Sequence, residues 1–247
     1  MLLAKYSFMQ NSRTFILIHG AWHASWCWKR IAKALSLKGH KVYTPDLPGH
    51  GSLNNQISGS IGLADYVHRV AALIQQQQEQ VTLVGHSMAG LVISGVAEIV
   101  PDAIRELIFV AGYVPQDQTS LFSLAQESES HKLTPFLIID EPLQEIRLQC
   151  SPLLVDILFN CCSSEDVEKA LTQLQAQPLR PFTESVHLGE QFTRITKRSL
   201  VCRYDHALFL SDQLRMSREV TDNIIYLDAD HAAYYSGAGQ IVDELLK

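Results

Sequence analysis

Apolar positions along the chain fall into two periods. Thr14-Phe15-Ile16-Leu17-Ile18 is an unbroken run ending at His19-Gly20, and Val81–Val84 runs into Gly85 in the same way. Lys41–Thr44 leads into Pro45, and Leu107–Val110 into Ala111-Gly112. Short β-prone runs closed by turn residues predict strands buried on both sides. Between them Trp28, Ile31, Ala32 and Leu35 fall at i, i+3, i+4 and i+7, and Leu63, Val67, Val70, Ala71 and Ile74 keep a similar spacing. These are helices with one apolar face. Strand–helix–strand alternation implies an α/β fold, with a mostly parallel sheet covered by helices on both faces.

From about Pro115 to Arg194 the rhythm breaks. Strand-like runs become rare, and helical stretches appear at Pro152–Phe159 and Ser164–Gln175, the second opened by a capping-box-like Ser163 and Asp166. Alternation resumes with strands at Ser199–Cys202 and Asn223–Leu227 and a helix at about Gln240–Leu246. The expected organisation is residues 1–114 as the first part of a core, 115–194 as a helical lid inserted into it, and 195–247 as its second part.

Composition narrows the function classes. The chain has 247 residues, of which 47% are hydrophobic and 19% charged, enough to bury one large core. Its formal net charge is −6 and its basic residues are scattered, so no nucleic-acid partner is expected. No run approaches the roughly 18 apolar residues of a membrane span, and no membrane partner is expected. Met1–Arg13 lacks the basic segment, apolar run and cleavage site of a signal peptide. Cys27, Cys150, Cys161, Cys162 and Cys202 are odd in number and irregularly spaced, which reads as reduced thiols in a cytoplasmic protein. No His, Cys, Asp or Glu cluster has metal-ligand spacing, and no phosphate-cradling glycine motif exists, so neither metal nor cofactor is expected.

The sharpest chemical signal is Val81-Thr82-Leu83-Val84-Gly85-His86-Ser87-Met88-Ala89-Gly90. A buried strand ends in Gly-His-Ser and a helix rich in small residues follows, the context of a nucleophile elbow that lifts the Ser87 hydroxyl above the sheet. The G-x-S-x-G pattern would put glycine at 89; here Ala89 stands there and Gly90 follows.

A nucleophilic serine needs a base and a group to orient it, in the chain order serine, acid, histidine. His231, after the last predicted strand, is the candidate base. Asp205, after the preceding strand, is the candidate acid, with Asp117 and Asp230 as rivals, and His206 reads as a neighbour. Both sit at carboxyl ends of strands, where open α/β sheets place their sites. An oxyanion would be held by the Met88 N–H, directly after the serine, and the Ala21 N–H, in the loop after the first strand. Gly20 and Trp22 of that loop are candidate substrate-binding residues, and His19 reads as structural. Asp46–Ser52 reads as a loop supporting the site wall, and Trp28 as core.

Taken together, His19-Gly20-Ala21-Trp22-His23, the Asp46–Ser52 loop, Gly85–Gly90, Asp205 and His231 resemble the α/β-hydrolase superfamily. Trp26-Cys27-Trp28, Tyr113-Val114-Pro115 and Ala229-Asp230-His231 look like the group containing plant methylesterases, hydroxynitrile lyases and their bacterial relatives. Leu158–Cys162, Glu165-Asp166-Val167 and Gln177-Pro178-Leu179 look like bacterial members. The resemblance runs from Thr14 onward. It implies the α/β-hydrolase fold, Ser87 as nucleophile, His231 as base, Asp205 as acid, Ala21 and Met88 as oxyanion-hole amides, and the insertion as a lid.

The expected activity is hydrolysis of a small carboxylic ester through an acyl-enzyme. Leu153, Leu154, Ile157, Leu158 and Phe159 either line an apolar substrate pocket or pack the lid on the core. Alternatives are a ligand-binding protein on a hydrolase scaffold, amide or C–C hydrolysis, and lyase chemistry. Lyases of this group carry threonine where Gly20 stands and lysine where Ala232 stands, so cyanohydrin cleavage is disfavoured. The expected partner is a small-molecule ester, and assembly into a homo-oligomer is left open.

Overall fold

Six strands that carry the apolar runs line up side by side in a computed structural model, which describes residues 12–55 and 58–247. The reading of Met1–Asn11 lies outside the described residues. In chain order the first half contains β1 (Thr14–Ile18), α1 (Lys29–Leu37), β2 (Lys41–Tyr43), α2 (Leu63–Gln75), β3 (Val81–His86), α3 (Ala89–Ile99) and β4 (Ile104–Val110). The intervening segment carries β5 (Thr119–Ser120), α4 (Leu121–Gln126), β6 (Leu137–Asp140), β7 (Glu145–Leu148), α5 (Pro152–Leu158), α6 (Ser164–Leu171), β8 (Gln177–Pro178), α7 (Arg180–Thr183), β9 (Ser185–Val186) and α8 (Glu190–Arg194). The last part holds β10 (Thr196–Cys202), α9 (Leu210–Arg218), β11 (Ile224–Leu227), α10 (Ala233–Ser236) and α11 (Ala238–Leu245).

The main sheet has the order β11-β10-β4-β3-β1-β2 and every pairing in it is parallel. Alternation along the strands divides the core between its faces. Ile16, Ile18, Leu83, Leu107 and Phe109 join one apolar cluster with α2 and α3. Phe15, Leu17, Val84, Ile108 and Val110 join another with α1 and α11. Trp28 is fully buried in the second cluster. Because both faces are covered, no polar alternation survives in the sequence, and the strands read as continuous apolar runs.

The segment between β4 and β10 departs from its helical reading. Alongside α5 and α6 it holds a three-stranded antiparallel sheet, β6-β7-β8, and a short β5-β9 ladder. Helix α6 stops at Leu171 rather than Gln175, because the Gln175 N–H turns away to donate to the Trp22 carbonyl at 2.9 Å. Ser163 caps α6 by accepting from the Asp166 N–H, while the Asp166 carboxylate reaches Arg30 of α1 at 2.8 Å. Among the described residues no helix is long and apolar enough to cross a membrane, and no group of three or more His, Cys, Asp or Glu is placed to hold a metal ion.

Candidate active site

The site begins with a strained turn. Between β3 and α3, Ser87 adopts φ +53°, a left-handed conformation that costs a non-glycine residue about 1–3 kcal/mol. Its own peptide groups offset this: the Ser87 N–H donates to the Val110 carbonyl at 3.2 Å, and its carbonyl accepts from Gly90 and Tyr113 N–H at 3.0 and 3.1 Å. The small residues around it answer steric demands. A β-carbon on Gly85 would lie 2.8 Å from the Ala89 carbonyl oxygen, and one on Gly90 would lie 1.9 Å from the Tyr113 carbonyl oxygen. Position 89, where the formal motif wants glycine, instead accommodates a fully buried alanine.

The hydroxyl so presented meets two residues from later strand ends. Ser87 Oγ lies 3.1 Å from His231 Nε2, and His231 Nδ1 lies 2.8 Å from Asp205 Oδ2. All three side chains are buried. A carboxylate can only accept, so Nδ1 carries the proton toward Asp205 and Nε2 is left to accept from the serine. Burial alone disfavours an imidazolium at His231, but the Asp205 charge, its hydrogen bond and the nearby Asp230 charge outweigh it and raise the pKa above the ordinary value. Loop contacts hold the pair together: the Tyr204 N–H donates to the Ala229 carbonyl at 3.0 Å, and His86 Nε2 donates to the His231 carbonyl at 2.8 Å.

The rival acids have other partners. Asp117 is exposed and accepts from the Leu188 N–H. Asp230 accepts from the Cys161 N–H and Ser236 Oγ, which pins the loop before His231 to the intervening segment. His206 faces Asp156 at the surface. His19 is structural: its Nε2 accepts from the Leu47 N–H, its Nδ1 donates to the Gly20 carbonyl, and burial lowers its pKa to about 3. Asp46 steadies the neighbouring loops by accepting from the Ser25 and Ser52 N–H groups.

A cavity of about 490 Å³ opens beside Ser87 and His231. Ala21 and Met88 line it, and among the described residues neither N–H is held by a backbone carbonyl outside the helices and strands. Trp22 also lines it, at φ +62°, with its indole N–H donated to the Ile146 carbonyl and its ring edge-on to Phe182. Gly20 does not face the cavity but lies beneath the serine, where a β-carbon would come within 3.0 Å of Ser87 Cβ and 2.9 Å of His86 Nδ1. Gly20 is expected from the sequence among the substrate-binding residues; the cavity lining holds its neighbours Ala21 and Trp22, and at Gly20 the absent side chain leaves room for Ser87 and His86.

Most of the remaining wall comes from the intervening segment, through Leu121, Phe122, Leu133, Leu137 and Phe182. The sequence reading missed these residues. A usable signal was Leu137-Ile138-Ile139 followed by Asp140-Glu141-Pro142, an apolar run closed by a turn, which marks β6. The apolar stretch Leu153–Phe159 packs elsewhere: Leu154, Ile157, Leu158 and Phe159 are buried in the cluster with α1 and α11, and Leu153 is exposed.

Comparison with known proteins agrees with this architecture. A model of the alpha/beta hydrolase family matches residues 15–244. The carbendazim hydrolyzing esterase of Nocardioides sp. is 38% identical over 111 residues, covering 44% of this chain and 46% of the esterase. Methylesterase 7 of Arabidopsis thaliana is 26% identical over 251 residues, covering 96% of each chain. Two of the curated relatives are spanned for less than two thirds of their length, 46% and 60%. A pyrethroid hydrolase structure from Sphingobium faniae superposes with a TM-score of 0.83 at 21% identity, covering 95% of this chain and 96% of that one, a likeness of fold. In its extent the family match takes in the serine elbow, both later strand ends and the intervening segment, and the chain belongs to the α/β hydrolase family.

Proposed function

We propose that this protein is a serine hydrolase that cleaves a small, uncharged carboxylic ester through an acyl-enzyme. The observation that carries the reading is the continuous chain Ser87–His231–Asp205, at 3.1 and 2.8 Å, facing an apolar cavity. In the first step Ser87 Oγ attacks the ester carbonyl carbon and its proton passes to His231 Nε2. Asp205 holds the imidazole in the reactive tautomer and stabilises the imidazolium. The Ala21 and Met88 N–H groups receive the oxyanion. Collapse breaks the carbon–alkoxy bond, and the leaving alcohol takes the proton from His231. Water repeats the sequence on the acyl-enzyme and releases the acid. No step calls on a metal or cofactor.

The cavity wall supports an uncharged substrate. Ala21, Trp22, Leu121, Phe122, Leu133, Leu137 and Phe182 supply its apolar surface, and among the described residues no Asp, Glu, Lys or Arg lines it. A charged acyl or alcohol group would lose its hydration there without finding a partner. Position 232 supports hydrolysis over cyanohydrin cleavage, since Ala232 offers no ammonium to a departing cyanide. We also infer a cytoplasmic setting, supported by five free cysteines, of which Cys27 and Cys202 are buried.

The test is hydrolysis of short- and medium-chain p-nitrophenyl esters by the native protein and Ser87→Ala. We expect native turnover and a loss of at least roughly a thousandfold in the variant. Native kcat/KM should rise with pH through a midpoint above about 6.5, as His231 loses its proton. Equal rates in the two proteins would remove Ser87 from the reaction. Inactivity of both with tight binding of an apolar small molecule would favour a binding protein.

A further inference from the structure

Eight positions after Asp205, in the first turn of α9, Gln213 is buried at 1% exposure with no role in the chemistry described so far. Its Oε1 accepts from the Cys202 N–H at 2.9 Å. A backbone N–H only donates, so this contact decides which end of the amide is oxygen. The NH2 group therefore faces Leu208 O at 2.7 Å and Asp205 Oδ2 at 3.2 Å. Asp205 Oδ1 is fixed separately by the Ala207 and Leu208 N–H groups, both at 2.8 Å. Oδ2 meets the His231 Nδ1–H at 2.8 Å. Gln213 is thus the second donor to the carboxylate oxygen that the imidazole uses.

We propose that Gln213 is a positioning residue for the hydrolysis, holding Asp205 Oδ2 against His231 so that the imidazole stays aligned on Ser87. The proposal rests on the reading of Ser87, His231 and Asp205 as the reacting chain. A residue that only stapled the loop would need its contacts to Cys202 and Leu208. The bond to Oδ2 goes beyond that and shares the carboxylate's charge. Without it, Oδ2 directs more charge at His231 Nδ1–H, which raises the proton affinity of the imidazole, and Oδ2 can swing about the Oδ1 anchor on the Ala207 and Leu208 N–H groups. The other groups facing this pair are Asp230 and His86 beside His231, His23 further along the same side, and Cys202, Tyr113 and Asp212 around Asp205. None of them changes in the variants below.

The experiment compares native protein, Gln213→Met and Gln213→Glu in p-nitrophenyl butyrate hydrolysis across pH, with thermal melts of each. Methionine keeps the volume and removes the donor. Glutamate keeps an acceptor for the Cys202 N–H and, pressed against the Leu208 carbonyl and the Asp205 carboxylate, holds a proton that it donates in place of the amide. We expect kcat of Gln213→Met to fall roughly tenfold to a hundredfold with KM within about twofold, as for a misaligned catalytic group. The acid limb of kcat/KM should move up by about half a pH unit in Gln213→Met and stay near the native one in Gln213→Glu. A folded Gln213→Met protein whose pH profile superimposes on the native one overturns the proposal, and so does a loss of rate with no movement of the limb. If the methionine variant fails to fold, Gln213→Glu decides: its kcat should stay near native, and a collapse of kcat in the folded protein overturns the proposal. Ser87→Ala runs alongside: undiminished hydrolysis there defeats the triad reading and the proposal together. An inactive Ser87→Ala with a native-like Gln213→Met defeats the positioning role alone.

Discussion

A β-carbon at position 90 would sit 1.9 Å from the Tyr113 carbonyl oxygen, so the glycine this elbow cannot give up is Gly90. The formal motif directs attention one residue earlier, to Ala89. Gly90→Ala must push away the residue whose N–H holds the Ser87 carbonyl, and should destabilise the fold by about 3 kcal/mol or more. Ala89→Gly should cost about 1 kcal/mol of helix propensity and leave the ester rate unchanged. Thermal melts and steady-state rates of the two variants decide the matter. A well-folded, active Gly90→Ala protein would mean that the loop at Tyr113, three residues past the end of β4, yields more easily than the geometry implies. Ser87, Asp205 and His231 were legible in the sequence because chain order and strand ends constrain where such residues stand. Gln213 was not. Its amide is one polar side chain on an amphipathic helix, and only the fold aims it at Asp205.

Strand α/β rhythm was legible at the level of elements wherever the strand is wholly apolar, and fell short where charge is threaded through it. β4 begins at Ile104 and β10 at Thr196, each three residues before its predicted start. Arg105, Glu106, Lys197 and Arg198 mask those beginnings in a hydrophobic pattern. The structure reconciles them with burial by pairing: Arg198 meets Glu106 at 2.8 Å, and Lys197 Nζ donates to the carbonyls at the end of α8. The strands of the insertion were illegible for another reason, since β5, β8 and β9 are two residues each and exist only through their partners.

Helix α9 gives an element-scale prediction. Next to Gln213, the buried Asp212 carboxylate accepts from Ser128 Oγ at 2.6 Å and the Glu129 N–H at 3.1 Å. This clamps the loop that carries Ser130 and His131 into the cavity wall. Asp212→Asn should loosen that loop, raising KM roughly threefold or more with little change in kcat, and lower stability by about 1–2 kcal/mol. Saturation kinetics on a p-nitrophenyl ester separates the effects. A fall in kcat at constant KM would instead place the change at the acid.

Across the whole molecule, four buried histidines set the response to acid. Burial is the leading cause lowering the pKa of His19 to about 3, of His23 and His50 to about 4, and of His86 well below its ordinary value. The unfolded chain protonates these imidazoles below about pH 6.5, while the folded protein keeps them neutral. Unfolding therefore takes up protons, and stability falls as pH drops from about 6.5 toward 4, by up to about 1.4 kcal/mol per pH unit for each histidine. His231, with its pKa raised, is protonated in both states through that window and offsets nothing. Urea unfolding at pH 7, 6 and 5 should lose several kcal/mol between the last two points. A flat urea midpoint would mean that all four rings take a proton without unfolding.

The division of the insertion between the two faces of the sheet bears on how substrate reaches Ser87. α5 and α6 are rooted in the cluster with α1 and α11, through Leu154, Ile157, Leu158 and Ala170. α4, α7 and α8 are rooted in the other, through Leu121, Leu124, Phe182 and Phe192. A covering element anchored on one side could swing open like a door. The helices of the insertion that line the cavity, α4 and α7, are anchored on the side of α2 and α3, while α5 and α6 contribute no lining residue among the described ones. The half-exposed ring of Phe122 stands between solvent and the cavity beside Ser87, so a change of that one rotamer would widen the way in.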